Sequence, residues 1–178
     1  GGDPRLALEA VSRMAEAFEV DAVALRADAL AACVTRTTDA SQELVNLSIE
    51  TLDEIIHDDR YDLAPPLLQK AKTTVATLKD DALKAAIQER EKNIAVFSRE
   101  FQSISAYVET IRKQPADTVA SYHVGRFHCA VKEDWDRGLP MVARGSNAAW
   151  KSLAGKELAR PDKPAIRLDL CQGWLQLA

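Results

Sequence analysis

Apolar residues recur at spacings of three and four along most of the chain, which is the period of an amphipathic helix. The first such segment follows Asp3 and Pro4, and an aspartate before a proline is typical of a helix start. Asp21 precedes a second segment, which the polar stretch TRTTDAS ends. A third helix is predicted from about residue 41 to residue 57.

The longest predicted helix covers residues 80–113, which contain no proline or glycine. Apolar residues recur there every seven positions, at Ile87, Ile94, Phe101 and Val108. Arg90 interrupts this heptad pattern. At 1.5 Å per residue the helix would be about 48 Å long, so we expect it to connect two parts of the fold. The heptads also allow a coiled coil between two copies of the chain, which would make it a homo-oligomer.

Four shorter helices are predicted after residue 113, over about 117–131, 136–144, 147–158 and 165–178. The last one is unusually apolar for the end of a helical array, because a closing helix normally has a polar outer face. We therefore expect either that it turns inward or that the natural polypeptide continues beyond residue 178.

Composition agrees with this all-α architecture. Hydrophobic residues make up 47% of the chain and aromatic residues only 6%, and the abundant alanine and leucine lose little side-chain freedom in a helix. A chain of 178 residues is long enough to bury one good core, so we expect a single domain over residues 1–178. The opening GGDP suggests a fragment of a larger protein.

The net charge, the hydropathy and the cysteine positions argue against several classes of protein. The formal net charge is −4 with acids and bases interspersed, and without a basic stripe we expect no nucleic-acid partner. No stretch approaches the roughly 20 apolar residues that a membrane-spanning helix needs, so we expect no membrane insertion. Cys33, Cys129 and Cys171 are far apart in sequence, so we expect buried thiols and neither a disulfide framework nor a metal site. No cofactor is expected either.

Two segments, YDLAPP and WDRGLP, share an order that predicts a corner between helices. In each, an aromatic residue and an aspartate precede a small residue and a proline. We predict that Asp62 and Asp136 cap the following helices, which places the prolines near the helix starts. Tyr61 and Trp135 would then wedge between neighbouring helices. Gly138 would let two helices approach closely.

These segments also place a large apolar residue four positions after the small one. This order resembles the second helix of a tetratricopeptide repeat. The resemblance implies antiparallel helical hairpins in a degenerate array with one long central helix.

Residues 122–161, YHVGRFHCAVKEDWDRGLPMVARGSNAAWKSLAGKELARP, resemble a helical segment of large, mostly uncharacterised planctomycete multidomain proteins. That resemblance covers nearly the whole chain when the earlier corner and the opening helix are included. It implies neighbouring modules in the same polypeptide and an exported or envelope-associated location. It brings no catalytic residues.

Candidate chemistry is sparse in this sequence. Asp53, Glu54, His57 and Asp58 lie at spacings that bring ligands to one helix face, so an acidic cleft of a metal-assisted hydrolase or a ligand-binding domain is one hypothesis. No nucleophile elbow or phosphate loop is present. The leading hypothesis is a non-enzymatic helical scaffold that binds a protein or a neighbouring module. Asp53 and His123 are the polar residues predicted to face its groove.

Overall fold

The computed structural model describes residues 2–177, and every regular element in that range is helical. The α-helices are α1 (Pro4–Ala17), α2 (Ala22–Ala32), α3 (Thr38–His57), α4 (Ala64–Val75), α5 (Asp81–Ser103), α6 (Ser105–Lys113), α7 (Thr118–Arg126), α8 (Trp135–Ala143), α9 (Ala148–Leu158) and α10 (Pro164–Leu177). A 3-10 turn, Tyr61–Leu63, precedes α4, and a π-helical turn, Phe127–Val131, extends α7. The all-α prediction is confirmed.

Side-chain caps explain where most of the helices begin. The Asp3 carboxylate accepts a hydrogen bond from the backbone N–H of Arg5 at 2.9 Å, and Asp21 accepts one from Ala24 at 3.0 Å. Five further helices start in the same way, at Thr37, Asp80, Asp117, Asp134 and Asn147. Each cap satisfies a backbone donor that has no partner within the helix. The predicted starts at Asp3 and Asp21 are confirmed.

The described chain divides into two compact units, and the boundary, between Ser98 and Arg99, lies inside α5. The sequence predicted a single domain over residues 1–178. The first unit packs α2, α3 and α4 against one another, with α1 against α2 and α3. Its fully buried side chains include Leu30, Leu44, Leu52, Ile55 and Leu67. Of these, Leu44, Leu52 and Ile55 lie on the side of α3 that the apolar spacing predicted to face inward.

The second unit consists of successive helices in contact, α6 with α7, α7 with α8, α8 with α9 and α9 with α10. Its core contains Cys129, Val142, Trp150 and Ala154. Partly buried Tyr122 and Trp174 pack against that core. Helices α7, α8, α9 and α10 therefore all contribute to a shared apolar centre.

The long helix predicted over residues 80–113 is two helices, which corrects the sequence interpretation. The break is at Ile104, whose φ and ψ are −107° and 6°. The Ile104 N–H donates to the Phe101 carbonyl at 3.1 Å, and the Ser103 hydroxyl donates to the Glu100 carbonyl at 2.6 Å. Serine hydroxyls compete in this way for helix carbonyls. The prediction that this segment connects two parts of the fold is confirmed, since α5 contributes to both units.

The heptad positions of α5 are used within the chain. Ile87 and Ile94 are buried, and the ring of Phe101 lies 5.7 Å from that of Phe127. These three residues of the sevenfold pattern therefore pack within the chain. None of the helices described over residues 2–177 is long and apolar enough to cross a membrane.

Candidate functional site

Asp134 is the N-cap of α8. The prediction that Asp136 caps this helix is wrong. Asp134 Oδ1 accepts a hydrogen bond from the Arg137 N–H at 3.1 Å, and the Asp134 N–H donates to the His128 carbonyl at 2.8 Å. Helix α8 therefore begins at Trp135, before Asp136. Pro140 consequently lies inside the helix instead of in its first turn. A proline there leaves the Asp136 carbonyl without its usual helical donor.

The corner before α4 is built differently from the prediction in one respect. Asp62 lies within the 3-10 turn, and no side chain caps α4, whose cap position is Leu63. Asp62 therefore does not start the helix. Pro65 and Pro66 occupy its first turn, as predicted, because the missing N–H groups there have no helical acceptor.

The two corners share a backbone feature that the sequence did not reveal. Asp59 and Glu133 both have positive φ values, 58° and 57°, and each lies two residues before the aromatic residue of its corner. A left-handed residue at this position ends the preceding helix. The burial of the aromatic side chains differs: Tyr61 is 8% exposed and donates its hydroxyl to Asp59 at 2.9 Å, whereas Trp135 is 39% exposed. Trp135 is thus only partly wedged.

Gly138 permits the close helix approach that the sequence predicted. A Cβ atom on Gly138 would lie 2.8 Å from the Gly125 carbonyl oxygen and 2.3 Å from Cys129 Sγ. A Cβ on Gly125 would likewise lie 2.8 Å from the Val142 backbone nitrogen.

Burial, and secondly the Asp134 carboxylate, raises the pKa of the Cys129 thiol to about 12. Cys129 is therefore a packing residue and not a nucleophile.

The structure does not gather the acidic residues of α3 into a cleft. Asp53 forms a bidentate ion pair with Arg90 of α5, at 2.9 and 3.0 Å. Glu54 pairs with Arg26 of α2 at 2.5 Å. His57 Nε2 lies 4.0 Å from Asp58 Oδ1. Within residues 2–177, no group of three histidines, cysteines, aspartates or glutamates is placed to hold a metal ion.

His123 contacts two aromatic rings. Its ring stacks on Tyr107 of α6, with centroids 4.0 Å apart and planes 10° apart. The ring of Tyr122 meets it edge-on at 5.1 Å. Asp53 and His123, the two predicted groove residues, are thus both engaged within the chain and lie in different units.

An aromatic cluster joins α8, α9 and α10, and the sequence interpretation missed it. Trp174 lies between Trp135 and Trp150, with ring centroids 5.2 and 5.4 Å away. The Trp174 indole N–H donates to Glu157 at 3.3 Å. Since all three tryptophans of the chain occur within residues 135–174, their clustering in sequence was a usable signal. The cluster fixes one side of α10 on α9.

The opposite side of α10 is apolar and exposed. Leu168 is 59% exposed and Leu175 is 78% exposed, and Cys171 between them is also exposed. Spacings of three and four place these side chains on one helix face, which we call the α10 face. The prediction that all three thiols are buried is therefore wrong for Cys171. The inward side of α10 is occupied by Leu170 and Trp174. Cys171 lies on a different side of the helix and therefore stays exposed.

A second exposed apolar surface lies on α1, in the first unit. Leu6 is 63% exposed and Phe18, at the end of the helix, is 67% exposed. Ala10 and Met14 lie between them, also exposed, and the spacing of four keeps Leu6, Ala10 and Met14 on one side of the helix. Phe18 follows directly, with an extended backbone. We call these four residues the α1 face. The buried side of α1 is formed instead by Pro4 and Val11.

The chain matches no protein-family model, no curated protein and no solved structure.

Proposed function

We propose that this chain is a non-enzymatic helical scaffold that binds a protein or a neighbouring module of its parent polypeptide. The observation that carries the proposal is the α10 face, Leu168, Cys171 and Leu175, which points away from the side of α10 that packs on α9. Fully burying a leucine that was exposed contributes about 1.5–3 kcal/mol. A partner that covered both leucines would gain this free energy of burial from each of them.

A degenerate tetratricopeptide-like array is the architecture we propose for this scaffold. Its support is the pairwise packing of consecutive helices and the two corners with a left-handed residue two positions before an aromatic one. The close approach of Gly125 and Gly138 is the kind of contact that joins two helices of an antiparallel hairpin. In such arrays each helix pair buries its apolar side on the next pair. The α10 face is an apolar side of this kind that remains exposed.

Docking on the α10 face replaces the groove that the sequence suggested. The carboxylate of Asp53 is held by Arg90, and the ring of His123 is stacked on Tyr107. Both side chains therefore already make contacts within the chain. The acidic-cleft alternative has the same difficulty, because Asp53 and Glu54 pair with two different arginines.

Site-specific crosslinking in cells of the source organism tests the proposal. A photoreactive phenylalanine analogue is placed at position 175, on the α10 face, and in a matched control at position 176, which is exposed on another side of the same helix. We expect protein adducts from position 175 and few from position 176. Adding Leu168→Glu should remove the adducts. Equal yields at both positions, or none at either, would contradict a docking role for this face.

A further inference from the structure

We infer that the partner of the α10 face is a second copy of this chain, which binds through its α1 face in a head-to-tail contact. This inference rests on the proposed scaffold function and names the partner. Two observations carry it: the α1 face and the α10 face are both apolar and exposed, and the two units that hold them have opposite net charge.

The charge asymmetry appears only when the chain is divided at the unit boundary. Residues 1–98 contain 11 lysines and arginines against 18 aspartates and glutamates, a net charge of −7. Residues 99–178 contain 12 against 9, a net charge of +3. The overall value of −4 hides this difference. The first unit of one copy therefore attracts the second unit of another.

The same asymmetry holds close to the two faces. Around α9 and α10 five exposed cations, Lys151, Lys156, Arg160, Lys163 and Arg167, outnumber two exposed carboxylates, Asp162 and Asp169. Exposed Glu16 and Glu19 flank Phe18 in sequence at the end of the α1 face. Arg5 and Arg13, the basic residues of α1, are already paired with Glu43 and Glu9. The surroundings of the α1 face are thus acidic and those of the α10 face are basic.

Charge also decides between the possible pairings. Two α10 faces brought together would oppose basic surroundings, and two α1 faces would oppose acidic ones, so both symmetric dimers are disfavoured by repulsion. The pairing of α1 with α10 joins apolar residues to apolar residues and opposite charges to each other. A contact between two different faces is heterologous, so each copy keeps one face open for a further copy.

Sedimentation of the full 178-residue chain tests the contact over about 10 µM to 1 mM, the range of weak association constants. We expect the average mass to rise with concentration and the association to weaken at least threefold between about 0.05 and 0.5 M salt. Met14→Glu on the α1 face and Leu175→Glu on the α10 face should each raise the dissociation constant at least tenfold. Ser12→Glu and Gln176→Glu add the same charge to exposed positions beside these faces, and they should behave like the wild type apart from a small charge effect.

Mixing the two disrupted variants distinguishes head-to-tail from symmetric contacts. The Met14→Glu chain keeps its α10 face and the Leu175→Glu chain keeps its α1 face, so each alone should be monomeric and the mixture should form a 1:1 dimer. Self-association of either variant alone, no dimer in the mixture, or a monomeric wild type at all concentrations would overturn the inference. A monomeric wild type together with crosslinks from position 175 to another protein would leave the scaffold function standing and remove only this partner.

Discussion

Gly138 of α8 packs directly against Cys129 of the π-helical turn. A Cβ atom on Gly138 would lie 2.3 Å from Cys129 Sγ and 2.8 Å from the Cys129 backbone nitrogen. Distances this short to backbone atoms cannot be relieved by rotating a side chain. The two segments are therefore held at a separation that only glycine allows at this position.

Gly138→Ala is expected to destabilise the protein by about 1–3 kcal/mol, because one methyl group overpacks a rigid contact. Gly155→Ala in α9 is the matched control, since no atom lies within 4 Å of its added Cβ. That substitution should stabilise the helix by about 0.5–1 kcal/mol. Urea denaturation followed by circular dichroism measures both values. Equal stabilities for the two variants would show that the contact at Gly138 yields easily.

Asp134→Ala should cost about 1 kcal/mol, because it removes the side-chain acceptor of the Arg137 N–H at the start of α8. Asp134→Asn should be nearly neutral, since asparagine caps as well as aspartate. Asp136→Ala removes only a favourable charge near the helix start, worth about 0.3–1 kcal/mol at most. Thermal melts of the three variants give the order. A larger loss at Asp136 than at Asp134 would contradict the observed cap.

Trp150→Ala should cost about 3–5 kcal/mol, as expected for a buried aromatic residue. Trp150 is 6% exposed. Trp135→Ala should cost less, about 1–2 kcal/mol, because 39% of its surface is already in water. Chemical denaturation of both variants tests this order. The reverse order would mean that Trp135 carries the aromatic cluster and Trp150 does not.

Asp21 should contribute to stability above about pH 4 and lose that contribution as the pH falls further. A hydrogen bond from Arg60, and then the N–H of Ala24, lowers the pKa of Asp21. A carboxyl whose folded pKa is lowered contributes stability above its unfolded pKa of about 3.9, and this contribution is lost as the pH falls through the folded value. The stability difference between wild type and Asp21→Asn should therefore shrink from pH 7 to pH 3.

Asp28→Asn, which removes an exposed carboxylate of the same helix, is the control for the loss of one negative charge. Because the Asp21–Arg60 pair is largely solvent-exposed, salt should reduce the Asp21 effect. Parallel pH profiles for Asp21→Asn and wild type would exclude a contribution from this ion pair.

Local features of the sequence were enough to predict most helices and several of their ends. Asp3 and Asp21 were identified as caps, and the prolines at positions 65 and 66 as first-turn residues. Each of these depends on contacts within about four residues, which the sequence displays directly.

The sequence interpretation of the candidate site was less successful, because its contacts are not local. Asp53 was placed in a groove, but its partner Arg90 is 37 residues away. His123 was assigned to the same groove, but it stacks on Tyr107 of another helix. In both cases a side chain that was treated as free is satisfied by a neighbour that only folding brings near. The heptad residues Ile87 and Ile94 of α5 are likewise buried by packing within the chain.

The sequence alone determined that this chain is all-α, where most of its helices lie and which side of each is apolar, because helix formation is governed by neighbours along the chain. Only the tertiary structure decided that Asp134 caps α8, that Ile104 divides the long helix and that Trp174 joins two other tryptophans. It also decided which apolar residues stay exposed, and so which surfaces remain for a partner. Burial depends on which helices meet, and that is settled by packing across distances that sequence spacing does not encode.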